Sequence, residues 1–290
     1  YCRTSVLKYT DQWREYVTRQ ARWVDFDNDY KTLDTPYTES VLWAFKQLHN
    51  KGLIYEGFKV LAYCWRCETP LSNHELRMDD EVYRNRQDQT VTVNFPILDG
   101  QGFDGAKLLA WTTTPWTLPS NLGLTVGPSI EYSLVSSFNP YTGEPLTVVC
   151  ATALLPKYFK EEAAALAFEE YKTGDKLIPW KVLGTIKGKA LEGIYYDQLM
   201  PSAANALSVI QEITPGADPF KVVVGDFVTT EDGTGIVHTA PAFGADDYKV
   251  GKKYGLGILT LVDREGKFVD GLGEFSHRFV KNYKNEENYV

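Results

Sequence analysis

The chain has 290 residues, 43% of them hydrophobic, with four cysteines and a formal net charge of −8. That length supports one large or two smaller cores, and no apolar run reaches the roughly 18 residues needed to span a bilayer. The acidic excess falls almost entirely after residue 90, which argues against wrapping duplex nucleic acid but not against gripping one nucleotide at a strand's end.

Cys2, Cys64, Cys67 and Cys150 are too few for a disulfide scaffold, so a reducing cytoplasm is expected. A chain that opens on Tyr1, without a signal-peptide pattern, and stops in Glu286–Val290 without a closing element reads as a piece of a longer protein. Residues 10–50 read as helical. Trp13, Val17 and Ala21 share one face of a first helix. A second has Thr35 as N-cap, Pro36 at its first position, a stripe of Val41, Leu42, Phe45 and Leu48, and Gly52 at its end. Cys64-Trp65-Arg66-Cys67 follows as a knuckle-like turn. Its two thiols are half of a zinc site, which needs four ligands, with His74 a conceivable third.

From about residue 90 the chain turns to β. Strands are expected at residues 90–95, 107–110, 130–135, 146–150, 221–228, 235–238 and 258–262, and helices at Glu161–Tyr171 and Ala245–Tyr254. Strands broken by isolated helices predict an α+β fold, with a barrel-like β domain and peripheral helices over residues 89–290. A small, mainly helical segment carrying the Cys-x-x-Cys knuckle occupies residues 1–88.

Two stretches carry chemistry. Residues 111–121, Trp-Thr-Thr-Thr-Pro-Trp-Thr-Leu-Pro-Ser-Asn, hold four threonines, two tryptophans and two prolines. The prolines fix the path of a turn where a strand runs out. The hydroxyls beside aromatic walls suit a small polar uncharged group better than a phosphate, which calls for Gly-rich backbone or cations. In the second, Gly233–Tyr248, His238 sits where a strand meets a loop and Asp247 lies nine residues later in the first turn of a helix. Taken alone, such a His is more often a packing residue, and paired Asp at a helix start usually serves the macrodipole. A serine hydrolase lacks its Gly-x-Ser-x-Gly elbow. Metal hydrolysis lacks a His ligand pair.

Together the two stretches resemble the editing domain of the isoleucyl-tRNA synthetases. Thr114 and Trp116 flanking Pro115 point to the isoleucyl branch rather than to the Thr-Thr-Arg-Pro version of leucyl and valyl relatives. Arg22-Trp23-Val24-Asp25-Phe26 and Tyr63–Ser72 resemble the catalytic body leading into that insertion. The His-x-Gly-His and Lys-Met-Ser-Lys-Ser signatures of the ATP site do not occur.

The resemblance implies a hydrolytic proofreading function that deacylates valyl-tRNA(Ile) and valyl-adenylate. The parent ligase would charge the tRNA using ATP, and this stretch alone would not. The rival reading is a non-catalytic tRNA-docking or structural module. Asp247 would hold the substrate's α-ammonium. His238 and Thr117 would line the side-chain pocket and set its size. Thr112, Thr113 and Thr114 would hold the terminal adenosine and a hydrolytic water, and Trp111 and Asn121 would shape the walls. With no nucleophile–base pair, catalysis by positioning water and substrate is expected, helped by a hydroxyl of the terminal ribose. Relatives with a second His at the position of Phe243 leave that position no acid–base role here. The implied partners are the 3′ end of tRNA(Ile) carrying valine and the rest of the synthetase body, with no membrane. No cofactor is expected in this stretch. In the parent, zinc would draw on a second Cys pair beyond the insertion, leaving Cys64 and Cys67 without metal here.

Overall fold

In the computed structural model, which describes residues 1–78, 82, 83, 85, 87–98, 102, 103 and 105–281, the chain divides into two units, Tyr1–Lys59 and Val60–Val290. The terminal Glu286–Val290 lies outside the described residues. The first unit is helical, with α1 (Cys2–Val6), α2 (Thr10–Arg19) and α3 (Thr35–Asn50). Helix α3 starts one residue earlier than the sequence suggests, because Asp34 takes the N-cap and Pro36 follows inside the first turn, where its missing N–H is harmless. Helix α2 stops short of Ala21, which adopts a left-handed φ of 57°. No residue of this unit is buried, and Val41, Leu42, Trp43, Phe45 and Leu48 of α3 stay exposed.

The second unit opens on the hairpin of β1 (Tyr63–Cys64) and β2 (Thr69–Pro70) around the Cys-x-x-Cys turn. Among the described residues, eight further strands form one mixed sheet. They are β3 (Val91–Pro96), β4 (Lys107–Thr112), β5 (Gly123–Val126), β6 (Glu131–Phe138), β7 (Pro145–Ala151), β8 (Lys181–Lys187), β9 (Lys221–Val224) and β10 (Ile236–Thr239). The order is β8-β6-β7-β4-β10-β5-β9, with β3 antiparallel on the other edge of β4. Strand β4 shares its second edge between two parallel neighbours, β7 at Lys107 and Leu108 and β10 at Trp111.

Residues 193–197 close this sheet into a barrel. On one side Val222 N–H donates to Ile194 O at 2.8 Å and Tyr196 N–H to Phe220 O at 3.0 Å. On the other, Leu98 N–H donates to Tyr195 O at 3.0 Å and Asp197 N–H to Pro96 O at 2.8 Å. The segment thus stitches the start of β9 to the end of β3, leaving no open edge at that seam.

Side-chain alternation fills the layers. Leu108 and Ala110 of β4 and Val222 and Val224 of β9 point into the barrel core with Phe95, Leu124, Ile194 and Tyr196. Val223 faces the opposite way, into a second cluster with Ile210 of α5 (Leu207–Ile213), Val250 of α6 (Ala245–Tyr254), Leu256 and Phe268, where α4 (Leu155–Tyr158) takes no part. Leu109 joins a third cluster with Val135, Val148, Cys150 and Leu155 of α4.

The predicted helix over Glu161–Tyr171 is absent. Two separate 3₁₀ turns, Glu161–Ala163 and Phe168–Glu170, stand there. Ala163 is the buried residue in that stretch, too little apolar face to sustain a helix whose nucleation is costly. Instead Tyr171 stacks on Phe138 with ring centroids 4.4 Å apart, and Phe168 leans on the same ring. The predicted strand over Ile258–Val262 is likewise replaced by irregular chain. It buries Leu259 and Leu261 but pairs through the single bridge Val262–Phe268. Strand β9 ends at Val224 rather than Val228, whereas β6 runs on to Phe138.

Candidate active site

The parallel pairing of β10 with β4, Val237 against Trp111, sets the ends of both strands side by side. Two motifs more than a hundred residues apart in sequence therefore meet at one end of the barrel. After β4 the chain turns into a 3₁₀ helix, Pro115–Ser120, whose start Pro115 favours by its fixed φ. Leaving β10, it passes Ala240 and Phe243 and enters α6, with Gly244 as N-cap. Gly233-Thr234-Gly235 leads into β10. Gly235 has φ 75°, and a Cβ there would come within 2.5 Å of the Ala151 Cβ, so this turn requires glycine.

A cavity of about 380 Å³ opens between these elements, lined by Trp111, Thr112, Thr113, Thr114, Trp116 and Thr117 of the first motif and by His238, Ala240, Phe243 and Asp247 of the second. The size lies within the range of small-molecule sites. Of the threonines from the first motif, Thr113 is exposed, and Thr112 and Thr117 are buried. The hydroxyls are knitted together. Thr114 N–H donates to Thr112 Oγ1 at 3.0 Å, Thr112 and Thr114 hydroxyls lie 3.2 Å apart, and Thr117 Oγ1 donates to Thr114 O at 2.8 Å. Trp116 packs edge-on against Phe243, centroids 5.2 Å apart, and its buried Nε1–H finds no acceptor among the described residues.

His238 is 6% exposed, and burial lowers its pKa to about 4, so it is neutral at physiological pH. Its Nε2 lies 2.9 Å from Thr117 Oγ1 and its Nδ1 2.8 Å from Asn121 Nδ2. Asn121, itself 3% exposed, stands behind the imidazole, set apart from the cavity lining. It donates a second hydrogen bond to Gly123 O at 2.9 Å and accepts one from the Tyr196 hydroxyl at 2.6 Å. Asp247 is the third residue of α6. Its carboxylate folds back to accept the Ala240 N–H at 2.9 Å, and burial raises its pKa while that hydrogen bond opposes the rise. Gly244 makes the fold-back possible, since a Cβ there would lie 2.9 Å from the Asp247 Cγ. Asp246 turns outward to Lys249 at 2.9 Å.

Sequence reading did not single out Phe227, Thr229 and Asp232, which also line the cavity. They come from the irregular chain after β9, where the expected strand over 221–228 places Phe227 and where Thr229 and Asp232 carry no pattern to flag them. Cys64 and Cys67 sit elsewhere, on the β1–β2 turn, with Cys67 N–H donating to Cys64 Sγ at 3.4 Å. That bond is the main cause that lowers the Cys64 pKa. Among the described residues no group of three or more His, Cys, Asp or Glu side chains is placed to hold a metal.

The model of the "tRNA synthetases class I (I, L, M and V)" family matches residues 1–261. The chain belongs to that family. It is 53% identical over 96% of its length to the isoleucine–tRNA ligase of Mycobacterium tuberculosis. It is 49% identical over 91% to that of Leifsonia xyli and 43% identical over its whole length to that of Bacteroides fragilis. It spans about a quarter of these ligases, 24%, 24% and 26% respectively. The solved editing domain of a P. knowlesi cytosolic leucyl-tRNA synthetase matches 59% of this chain, and 68% of its own, at 14% identity and a TM-score of 0.38. Among the described residues of this synthetase chain no helix is long and apolar enough to cross a membrane.

Proposed function

We propose that this chain is the hydrolytic proofreading part of an isoleucine–tRNA ligase, deacylating valyl-tRNA(Ile) and valyl-adenylate. The observation that carries the reading is one cavity lined together by the hydroxyls of Thr112, Thr113, Thr114 and Thr117, the Asp247 carboxylate and the neutral imidazole of His238. The energetic need is plain. A pocket built for isoleucine cannot exclude valine, because one methylene is worth only about 1–3 kcal/mol. A second, smaller site must then hydrolyse what the first lets through.

In that site Asp247 binds the α-ammonium by a charge-assisted hydrogen bond, which offsets the desolvation that raises its pKa. Thr117 and His238 form the wall that meets the amino-acid side chain. Thr112, Thr113 and Thr114 hold the terminal adenosine and a water near the ester carbonyl. Trp111 shapes one wall, and Asn121 acts on the pocket through His238. Both ring nitrogens of the neutral His238 are engaged, by Thr117 and by Asn121, and Asp247 is engaged by ammonium. The chain therefore contributes orientation and water placement rather than a covalent nucleophile. The partners are the aminoacylated tRNA 3′ end and the rest of the synthetase, whose activation site would use ATP. We place the division between leading segment and editing domain at residues 88/89 and the protein in the cytoplasm. Cys64 and Cys67 fit half of a tetrahedral zinc site, with a thiolate favoured at Cys64 by the Cys67 N–H. The remaining ligands must come from other parts of the ligase.

The test is a deacylation time course on valyl-tRNA(Ile) and isoleucyl-tRNA(Ile), run beside isoleucine-dependent ATP–pyrophosphate exchange. Valyl-tRNA should be cleared and isoleucyl-tRNA spared, without exchange. Intact valyl-tRNA would leave a docking module, and exchange activity would contradict the proposal.

A further inference from the structure

We propose that Tyr196 is a positioning residue for this site: from inside the barrel its hydroxyl is the donor that, with Gly123 O as acceptor, holds the Asn121 amide in the one orientation that selects the tautomer of His238, and so sets the wall that Thr117 presents to the aminoacyl side chain. The substrate in this statement rests on the deacylase reading; the relay rests on geometry.

A main-chain carbonyl, which can only accept, fixes the direction of the hydrogen bonds that follow from it. At the inner end, Gly123 O lies 2.9 Å from Asn121 Nδ2, so the amide's NH₂ must face that carbonyl and its oxygen must face the Tyr196 hydroxyl, 2.6 Å away. The second amide hydrogen then points at His238 Nδ1, 2.8 Å away, which must be the unprotonated nitrogen. At the outer end, the Thr117 hydroxyl lies 2.8 Å from Thr114 O and 3.3 Å from Thr114 Oγ1, so it can donate there and accept from His238 Nε2–H at 2.9 Å. The inner end requires the proton on Nε2, and the outer end accommodates it. His238 consequently has no lone pair free to act as a base, and its ring plane is fixed from both sides.

Tyr196 begins the chain of donors because of where it sits. It is 1% exposed, packed edge-on against Phe95 at 5.2 Å and Phe220 at 6.5 Å. Its backbone belongs to the segment that seals β9 to β3. The barrel seam and the cavity wall are thus joined by one unidirectional line of hydrogen bonds, Tyr196 to Asn121 to His238 to Thr117 to Thr114 O. Side chains tied into such a network hold one arrangement, and loss of a member frees the others.

The experiment uses the full chain with ¹⁵N-labelled histidine, where long-range proton–nitrogen spectra separate the two imidazole tautomers of His49, His74, His238 and His277. His238 should show the Nε2–H form. Tyr196→Phe keeps the ring packing and deletes the hydroxyl. It leaves the buried Asn121 Oδ1 without its donor, so the amide loosens from its single orientation; the variant should admit the Nδ1–H form at His238 and lower the ratio of valyl- to isoleucyl-tRNA hydrolysis by roughly threefold or more. Asn121→Asp, whose carboxylate can only accept, should convert His238 to Nδ1–H, and it decides the relay if Tyr196→Phe does not fold. An unchanged Nε2–H tautomer in the folded variants overturns the relay. A changed tautomer with an unchanged hydrolysis ratio overturns the positioning role. If the unmodified chain leaves valyl-tRNA intact, the deacylase reading fails while the spectra still decide the relay.

Discussion

With its side chain 6% exposed, His238 carries a pKa pulled from 6.5 to about 4 by burial, and this has a consequence for stability. The unfolded chain binds a proton at this residue below pH 6.5, whereas the folded chain does not until about pH 4. Stability from this residue is therefore full above about pH 6.5 and is lost as pH falls towards 4, by roughly 3 kcal/mol in total. Urea unfolding at neutral pH and near pH 4.5 should show the loss in the natural chain, and His238→Gln should flatten it. An identical pH slope in both proteins would mean that the imidazole is not buried as described. His238→Ala probes the sieve instead. It enlarges the pocket and should let isoleucyl-tRNA be hydrolysed, a modest gain because a methylene is worth about 1–3 kcal/mol. Loss of valine activity with no isoleucine gain would reassign His238 away from the size wall.

At the scale of elements, the parallel contact of β4 with β10 assembles the site, and α6 aims Asp247 into it. Gly244→Ala tests that aim. Its Cβ would stand 2.9 Å from the Asp247 Cγ and push the carboxylate off the Ala240 N–H. Deacylation should drop by about tenfold with unchanged far-ultraviolet circular dichroism; full activity would show that the fold-back is dispensable. The Pro- and Thr-rich turn, the strand entering His238 and helix α6 were all legible in the sequence, because turn chemistry and a clean helix start are local signals. Pairing between β4 and β10 was not, nor was Tyr196, since both depend on contacts across the barrel. Strand β8 and the short β5 also went unread. Most of β8 is exposed, and Gly123–Val126 is too short to show a period. The helix expected at Glu161–Tyr171 failed for a tertiary reason, since Phe138 offers an aromatic surface to Phe168 and Tyr171, which two short 3₁₀ turns bring to it.

For the whole molecule, the three apolar clusters all lie after residue 90, while residues 1–59 bury no side chain. Exposed apolar helix faces of this kind mark interaction surfaces, and none of the folded core of residues 60–290 is built from them. Residues 60–290 expressed alone should accordingly unfold in one cooperative transition and keep the deacylase activity; a broad, non-cooperative melt would place part of the core elsewhere. Single-turnover deacylation of preloaded valyl-tRNA(Ile) by the natural chain and by Asp247→Asn tests whether the cavity that the threonines and Asp247 line hydrolyses the aminoacyl ester. The natural chain should clear the substrate, and the variant should be slower by roughly tenfold to a hundredfold, the loss of a charge-assisted hydrogen bond of about 1.5–3 kcal/mol. Its Tm at neutral pH should not fall, because burial already disfavours the charged carboxylate and the amide oxygen still accepts the Ala240 N–H. Equal rates in the two proteins, or no hydrolysis by the natural chain, would contradict the account.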